Sequence, residues 1–146
     1  MSTEAETVAF AGRLAAVIGP GDLIVLEGDL GAGKTFLVRA LCYALGLPED
    51  ELVTSPTFTL VQELDADIPI VHADLYRLGG PDELMDLGLE ERIGADALVV
   101  VEWGERFLDV LGAPTLLLRM EIVGETERRV HLSYGDAWGR MHRRDL

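Results

Sequence analysis

Apolar residues recur along this chain in two rhythms, one helical and one of short, continuously apolar runs. Val8, Ala11, Ala15 and Ile18 follow helical spacing and stop at Gly19-Pro20-Gly21. Ser2 or Thr3 can cap that helix, and Thr3 with Glu6 makes a capping-box pattern. Residues 22–27 form an apolar, β-branched run that predicts a buried strand. A Gly-rich turn, Gly28 to Gly33, leads from it into a predicted helix spanning about residues 34–45, with Gly46 at the C-terminal cap position and Pro48 beyond. Residues 49–56 read as an acidic loop. Residues 57–62 and 68–74 predict two strands around an Asp65-Ala66-Asp67 turn. Gly79-Gly80-Pro81 breaks the chain before a short helix near Asp82, with Pro81 in its first position. Residues 98–101 predict another buried strand, ending in Glu102-Trp103-Gly104. The runs 115–123 and 128–133, either side of Gly124-Glu125-Thr126, predict a hairpin. The order reads as one α/β domain over residues 1–146, with residues 139–146 a mobile basic tail.

Composition narrows the class. With 49% hydrophobic and 26% charged residues over 146 positions, the chain has the balance of a globular domain, and disorder of its body is excluded. No apolar run approaches the roughly 18 residues that span a bilayer. The acidic start, Met1 to Glu6, is the opposite of a secretory or transit signal, and Cys42 is the only cysteine. A reducing, cytoplasmic location is therefore expected. The net charge of −14 repels polyphosphate, so strong direct nucleic-acid binding is not expected, nor is any membrane association. Asn is absent, which removes the Asn-based guanine-reading motif, and Lys34 is the single lysine.

That lysine sits in the clearest chemical signal. Gly28-Asp29-Leu30-Gly31-Ala32-Gly33-Lys34-Thr35 matches the phosphate-loop pattern G-x-x-x-x-G-K-[ST], between a predicted strand and a predicted helix. Glycines let successive backbone N–H groups curl toward phosphate oxygens, which a Cβ would obstruct. In such a loop the lysine reaches the β- and γ-phosphates, the Thr35 hydroxyl can ligate Mg²⁺, and the helix start adds its positive dipole end. A dinucleotide fingerprint through Gly31-Ala32-Gly33 fails, because Phe36 stands at its third glycine position. The expected ligand is a nucleoside triphosphate, cradled by residues Gly28 through Phe36.

Such a loop needs a carboxylate at a neighbouring strand end, to hold Mg²⁺ or orient the attacking water. Glu102 and Asp74 both follow apolar strand runs. Thr57, about 20 residues beyond the loop, falls where nucleotide switches place a sensing hydroxyl. His72 alone reads as a packed or hydrogen-bonded core histidine, and Trp103 alone as core or interface. His72, His131 and His142 are too widely spaced to suggest a metal cluster.

Taken in order, the phosphate loop, Ser55-Pro56-Thr57-Phe58-Thr59-Leu60, His72-Ala73-Asp74-Leu75-Tyr76-Arg77 and Val101-Glu102-Trp103 resemble the TsaE family, formerly YjeE, over roughly residues 1–123. The resemblance implies a small P-loop NTPase-type three-layer fold with a mixed β-sheet. It implies a Mg²⁺-dependent ATPase of the bacterial tRNA threonylcarbamoyladenosine pathway. Its partners would be TsaD and TsaB, which transfer a threonylcarbamoyl group to the adenosine beside the anticodon, with hydrolysis resetting that complex. Carried over by motif, Lys34 binds phosphate, Thr35 and Glu102 hold Mg²⁺, residues 55–58 form a switch-like segment, and Asp74 is needed for hydrolysis. This chain has Phe36 where family members often carry a second Thr, and the stretch from Gly124 matches no family motif. The competing class is a small-molecule kinase, disfavoured because the acid-rich stretch between Asp74 and Glu102 holds only Arg77 and Arg92 where a lid would need more.

Overall fold

The computed structural model describes residues 3–28, 33–50, 61–104, 107–112, 114–125 and 127–134. The loop interior (Asp29, Leu30, Gly31, Ala32), the switch-like segment with Thr57, and the basic tail lie outside the described residues.

The elements run α1 (Glu4–Ala15), β1 (Leu23–Gly28), α2 (Lys34–Ala44), β2 (Val61–Asp65), β3 (Pro69–Asp74), α3 (Pro81–Asp86), α4 (Leu89–Arg92), β4 (Leu98–Glu102), α5 (Leu108–Leu111), β5 (Leu116–Ile122) and β6 (Arg128–Tyr134). The strands make one sheet of six in the order β2-β3-β4-β1-β5-β6. β3, β4, β1 and β5 are parallel, while β2 and β6 pair antiparallel at the two edges. The mixed sheet and the C-terminal hairpin therefore form as the sequence predicts.

Side-chain alternation on the central strands divides the core in two. Ile24 and Leu26 of β1 and Leu98 and Val100 of β4 pack with Phe10, Ala11 and Leu14 of α1 and Leu37, Val38 and Leu41 of α2. Leu23, Val25, Val99 and Val101 face the other way, onto Leu84 of α3, Leu89 of α4 and Leu111 of α5. The result is a three-layer sandwich whose central strands are apolar on both faces, as parallel sheets require. Each such aliphatic side chain contributes about 1.5–3 kcal/mol when fully buried.

Local signals hold at the helix ends. Thr3 caps α1 by accepting from Glu6 N at 3.1 Å. Gly46, at φ 98°, ends α2 in a Schellman arrangement: Leu47 N donates to Cys42 O at 3.0 Å and Gly46 N to Tyr43 O at 3.1 Å. The apolar stripe of α1 differs from expectation. Ala11 and Ile18 are buried as expected, but Val8 is 54% exposed, and Phe10 and Leu14 join the buried face because their bulkier side chains bring more apolar area to the interface. The strand β2 runs through Asp65, which pairs with Pro69, so the turn occupies residues 66–68 and Ile68 belongs to it. The one-turn helices α4 and α5 carry too few residues for a helical period to register in the sequence.

Candidate nucleotide site

Strand β1 delivers the phosphate loop at the C-terminal edge of the parallel strands, where open α/β sheets bind ligands. Gly28 closes β1 at φ 145°, so near β5 that a Cβ on it would lie 2.5 Å from the Met120 carbonyl oxygen. Glycine is therefore required for close strand packing as well as for the turn. Gly33, at φ 94°, precedes the 11-residue α2 and supplies no side-chain cap, so the positive dipole end of the helix starts here.

Lys34 is 5% exposed. Its Nζ donates to the Gly28 carbonyl oxygen and lies 3.7 Å from the centroid of the Trp103 ring. A buried ammonium is costly unless it is paired, and the carbonyl and the indole face both meet it. Trp103 holds its ring there with a backbone φ of 60°, which makes it the one non-glycine residue of positive φ among the described residues. Its N–H donates to Leu26 O at 3.2 Å, and Tyr76 packs against its ring at a centroid distance of 4.9 Å.

Thr35 lies in the first turn of α2, and its hydroxyl donates to Glu102 at 3.1 Å (Oε1) and 3.4 Å (Oε2). Glu102 is the last residue of β4 and 2% exposed. His72 Nε2 lies 2.5 Å from Glu102 Oε2, so the imidazole donates to the carboxylate. Asp74 ends β3 in register with Glu102 on the adjacent parallel strand, and its Oδ1 accepts from Tyr76 N at 3.0 Å. Alternation turns His72, Asp74 and Glu102 to the sheet face that α2 covers, since Ile70, Leu98 and Val100 face that way.

The donor set fits Mg²⁺. A hydroxyl and a carboxylate oxygen stand together at a helix start beside a lysine, and Mg²⁺ takes few protein oxygens and completes its shell with phosphates and water. Thr35 and Glu102 would hold the ion.

The family model for "Threonylcarbamoyl adenosine biosynthesis protein TsaE" matches residues 1–130. The chain belongs to the TsaE family. Its similarity to other TsaE proteins runs across most of both chains. It is 43% identical to the tRNA threonylcarbamoyladenosine biosynthesis protein TsaE of Streptomyces coelicolor over 135 residues, covering 86% of this chain and 89% of that protein. It is 39% identical to that of Bacillus subtilis over 126 residues, covering 86% and 77%. The crystal structure of Bacillus subtilis YdiB superposes with a TM-score of 0.81 at 29% identity, covering 99% of this chain and 90% of that one. The α/β fold is of the P-loop NTPase type, and the family role lies in tRNA threonylcarbamoyladenosine biosynthesis.

Of the residues expected at the site, the structure brings Gly28, Gly33, Lys34, Thr35 and Glu102 together, with Asp74 beside them by register. Phe36 is half-buried on α2 and offers a ligand no polar side-chain atom. Sequence reasoning left His72 and Trp103 without a function. A signal for His72 exists in the two-residue spacing His72–Asp74, which puts both on one face of a strand. None exists for Trp103, whose contact with Lys34 joins the residue after β4 to the start of α2.

Proposed function

We propose that this chain is a Mg²⁺-dependent ATPase acting in the cytoplasm, which supports threonylcarbamoyl transfer to the tRNA adenosine beside the anticodon by TsaD and TsaB and resets that complex between turnovers. The observation that carries the reading is the Thr35–Glu102 contact at 3.1 Å beside Lys34 at the start of α2. Lys34 leaves the Gly28 carbonyl to meet the β- and γ-phosphates, and Thr35 and Glu102 present oxygens to the cation that accompanies them. Bound there, the ion neutralises charge on the phosphates. Asp74, at the neighbouring strand end, orients the attacking water. The backbone N–H groups at the start of α2 stabilise negative charge that develops on the phosphoryl oxygens.

The net charge of −14 favours docking on a protein partner over direct tRNA binding. The test is steady-state ATP hydrolysis by the chain, alone and with purified TsaB–TsaD. Low turnover alone and a clear rise with the partners is expected. Turnover indifferent to the partners would overturn the tRNA-modification role and favour a small-molecule phosphotransferase.

A further inference from the structure

His72 occupies a position that packing alone would fill with an aliphatic residue. It lies within β3 between Val71 and Ala73, pairs in register with Val100, and is 0% exposed. Its Nε2 reaches Glu102, while Nδ1 is buried with no hydrogen-bond partner among the described residues. Burying a ring nitrogen without a partner costs stability that a leucine would not lose. The compensating contact is the one to Glu102. Among the described residues that carboxylate is otherwise held by the Thr35 hydroxyl, at 3.1 Å from one oxygen and 3.4 Å from the other, so the hydroxyl alone barely distinguishes the two. Fixing Oε2 through the 2.5 Å contact from His72 turns Oε1 toward Thr35.

We infer that His72 is a positioning residue for Glu102, donating through Nε2 so that Glu102 Oε1 and the Thr35 hydroxyl form a preformed pair of oxygen ligands for a divalent cation. This rests on the assignment of Thr35 and Glu102 as cation ligands. Outer partners of this kind set the orientation of a metal-binding group, and their loss weakens metal binding by about 10–100-fold.

The experiment measures Mn²⁺ binding by electron paramagnetic resonance in the presence of a non-hydrolysable ATP analogue, for the unaltered protein and for His72→Leu, His72→Gln and His72→Asn. Gln carries its amide nitrogen near the position of Nε2, and the shorter Asn does not. Leu and Asn should raise the half-saturating Mn²⁺ concentration by about 10–100-fold while Gln stays within about threefold of the unaltered protein. Analogue affinity in EDTA should be the same for all four. Tight Mn²⁺ binding by His72→Leu, or Gln binding as weakly as Asn, overturns the inference. If His72→Leu does not fold, the Gln–Asn pair decides alone. Failure of the unaltered protein to bind Mn²⁺ with the analogue would instead overturn the assignment of Thr35 and Glu102, and the positioning role with it.

Discussion

The two ends of the parallel strands are built to opposite rules. At the N-terminal end Asp22 Oδ2 accepts from Gly19 N at 2.8 Å, and Thr115 Oγ1 accepts from Leu23 N at 3.1 Å. Thr115 N donates back to Leu23 O at 2.8 Å, and Gly21 N to Ala97 O at 3.0 Å. These polar groups find partners in neighbouring loops and strands, and that end is closed. The C-terminal end, with the residues just beneath it, gathers the buried polar or charged side chains of the described residues: Lys34, His72, Asp74 and Glu102. It also holds the positive φ of Trp103 and the unpartnered Nδ1 of His72. Positive φ and buried charge concentrate at the end proposed to take nucleotide, and the opposite end satisfies its polar groups within the fold.

The largest effect that sharpens this contrast comes from Lys34→Ala. Two charge-assisted bonds to phosphate are worth about 1.5–3 kcal/mol each, so nucleotide affinity by calorimetry should fall by at least about 100-fold. The melting temperature should change little with it, because the buried ammonium is lost together with the Gly28 carbonyl and Trp103 contacts that offset its cost. A variant that lost stability and kept affinity would reverse the division between the ends. Gly28→Ala should damage both properties: its Cβ would meet the Met120 carbonyl oxygen at 2.5 Å, at a φ of 145°. A loss well above 1 kcal/mol by urea denaturation is expected, on the order of what positive-φ glycines cost to replace.

Thr115→Ala probes the closed end. It should cost about 1–2 kcal/mol in urea denaturation and leave nucleotide affinity unchanged, since one backbone N–H loses its side-chain acceptor. The smallest effect concerns Cys42, on the buried face of α2, where burial pushes the thiol from 9.0 up to about 12. Below pH 9.0 both folded and unfolded chains keep the proton and the group contributes no pH dependence; above it the unfolded chain ionises first and stability falls. Cys42→Ala should flatten that alkaline decline, and iodoacetamide should label the native protein far more slowly than the denatured one.

The central elements were legible because each carried its own punctuation. Thr3 and Glu6 announced α1, Gly46 and Pro48 ended α2, and the phosphate-loop pattern pointed to the strand before it and the helix that starts at Lys34. Glu102 and Asp74 were legible as acids ending apolar runs. Their register as neighbours was not, because β3 and β4 meet through pairing across 28 residues of sequence, from Asp74 to Glu102, that no local signal encodes. The stripe of α1 slipped from Val8 to Phe10 for a related reason, since two stripes with helical spacing were available and tertiary packing chose between them. The contacts of His72 with Glu102 and of Trp103 with Lys34 exist only once three strands and a helix have met.

Strand β1 lies between β4 and β5, its register running from Leu23 with Val99 on one side and from Ile24 with Leu116 on the other. On the ribosome this sets an order of events. The phosphate-loop strand is among the first segments made, yet it has no neighbour to pair with until the last third of the chain emerges. Its apolar faces must wait, exposed, through most of synthesis, a period in which such surfaces invite aggregation. A chain cut short before Leu98 would carry the whole loop motif and neither of the strands that flank β1.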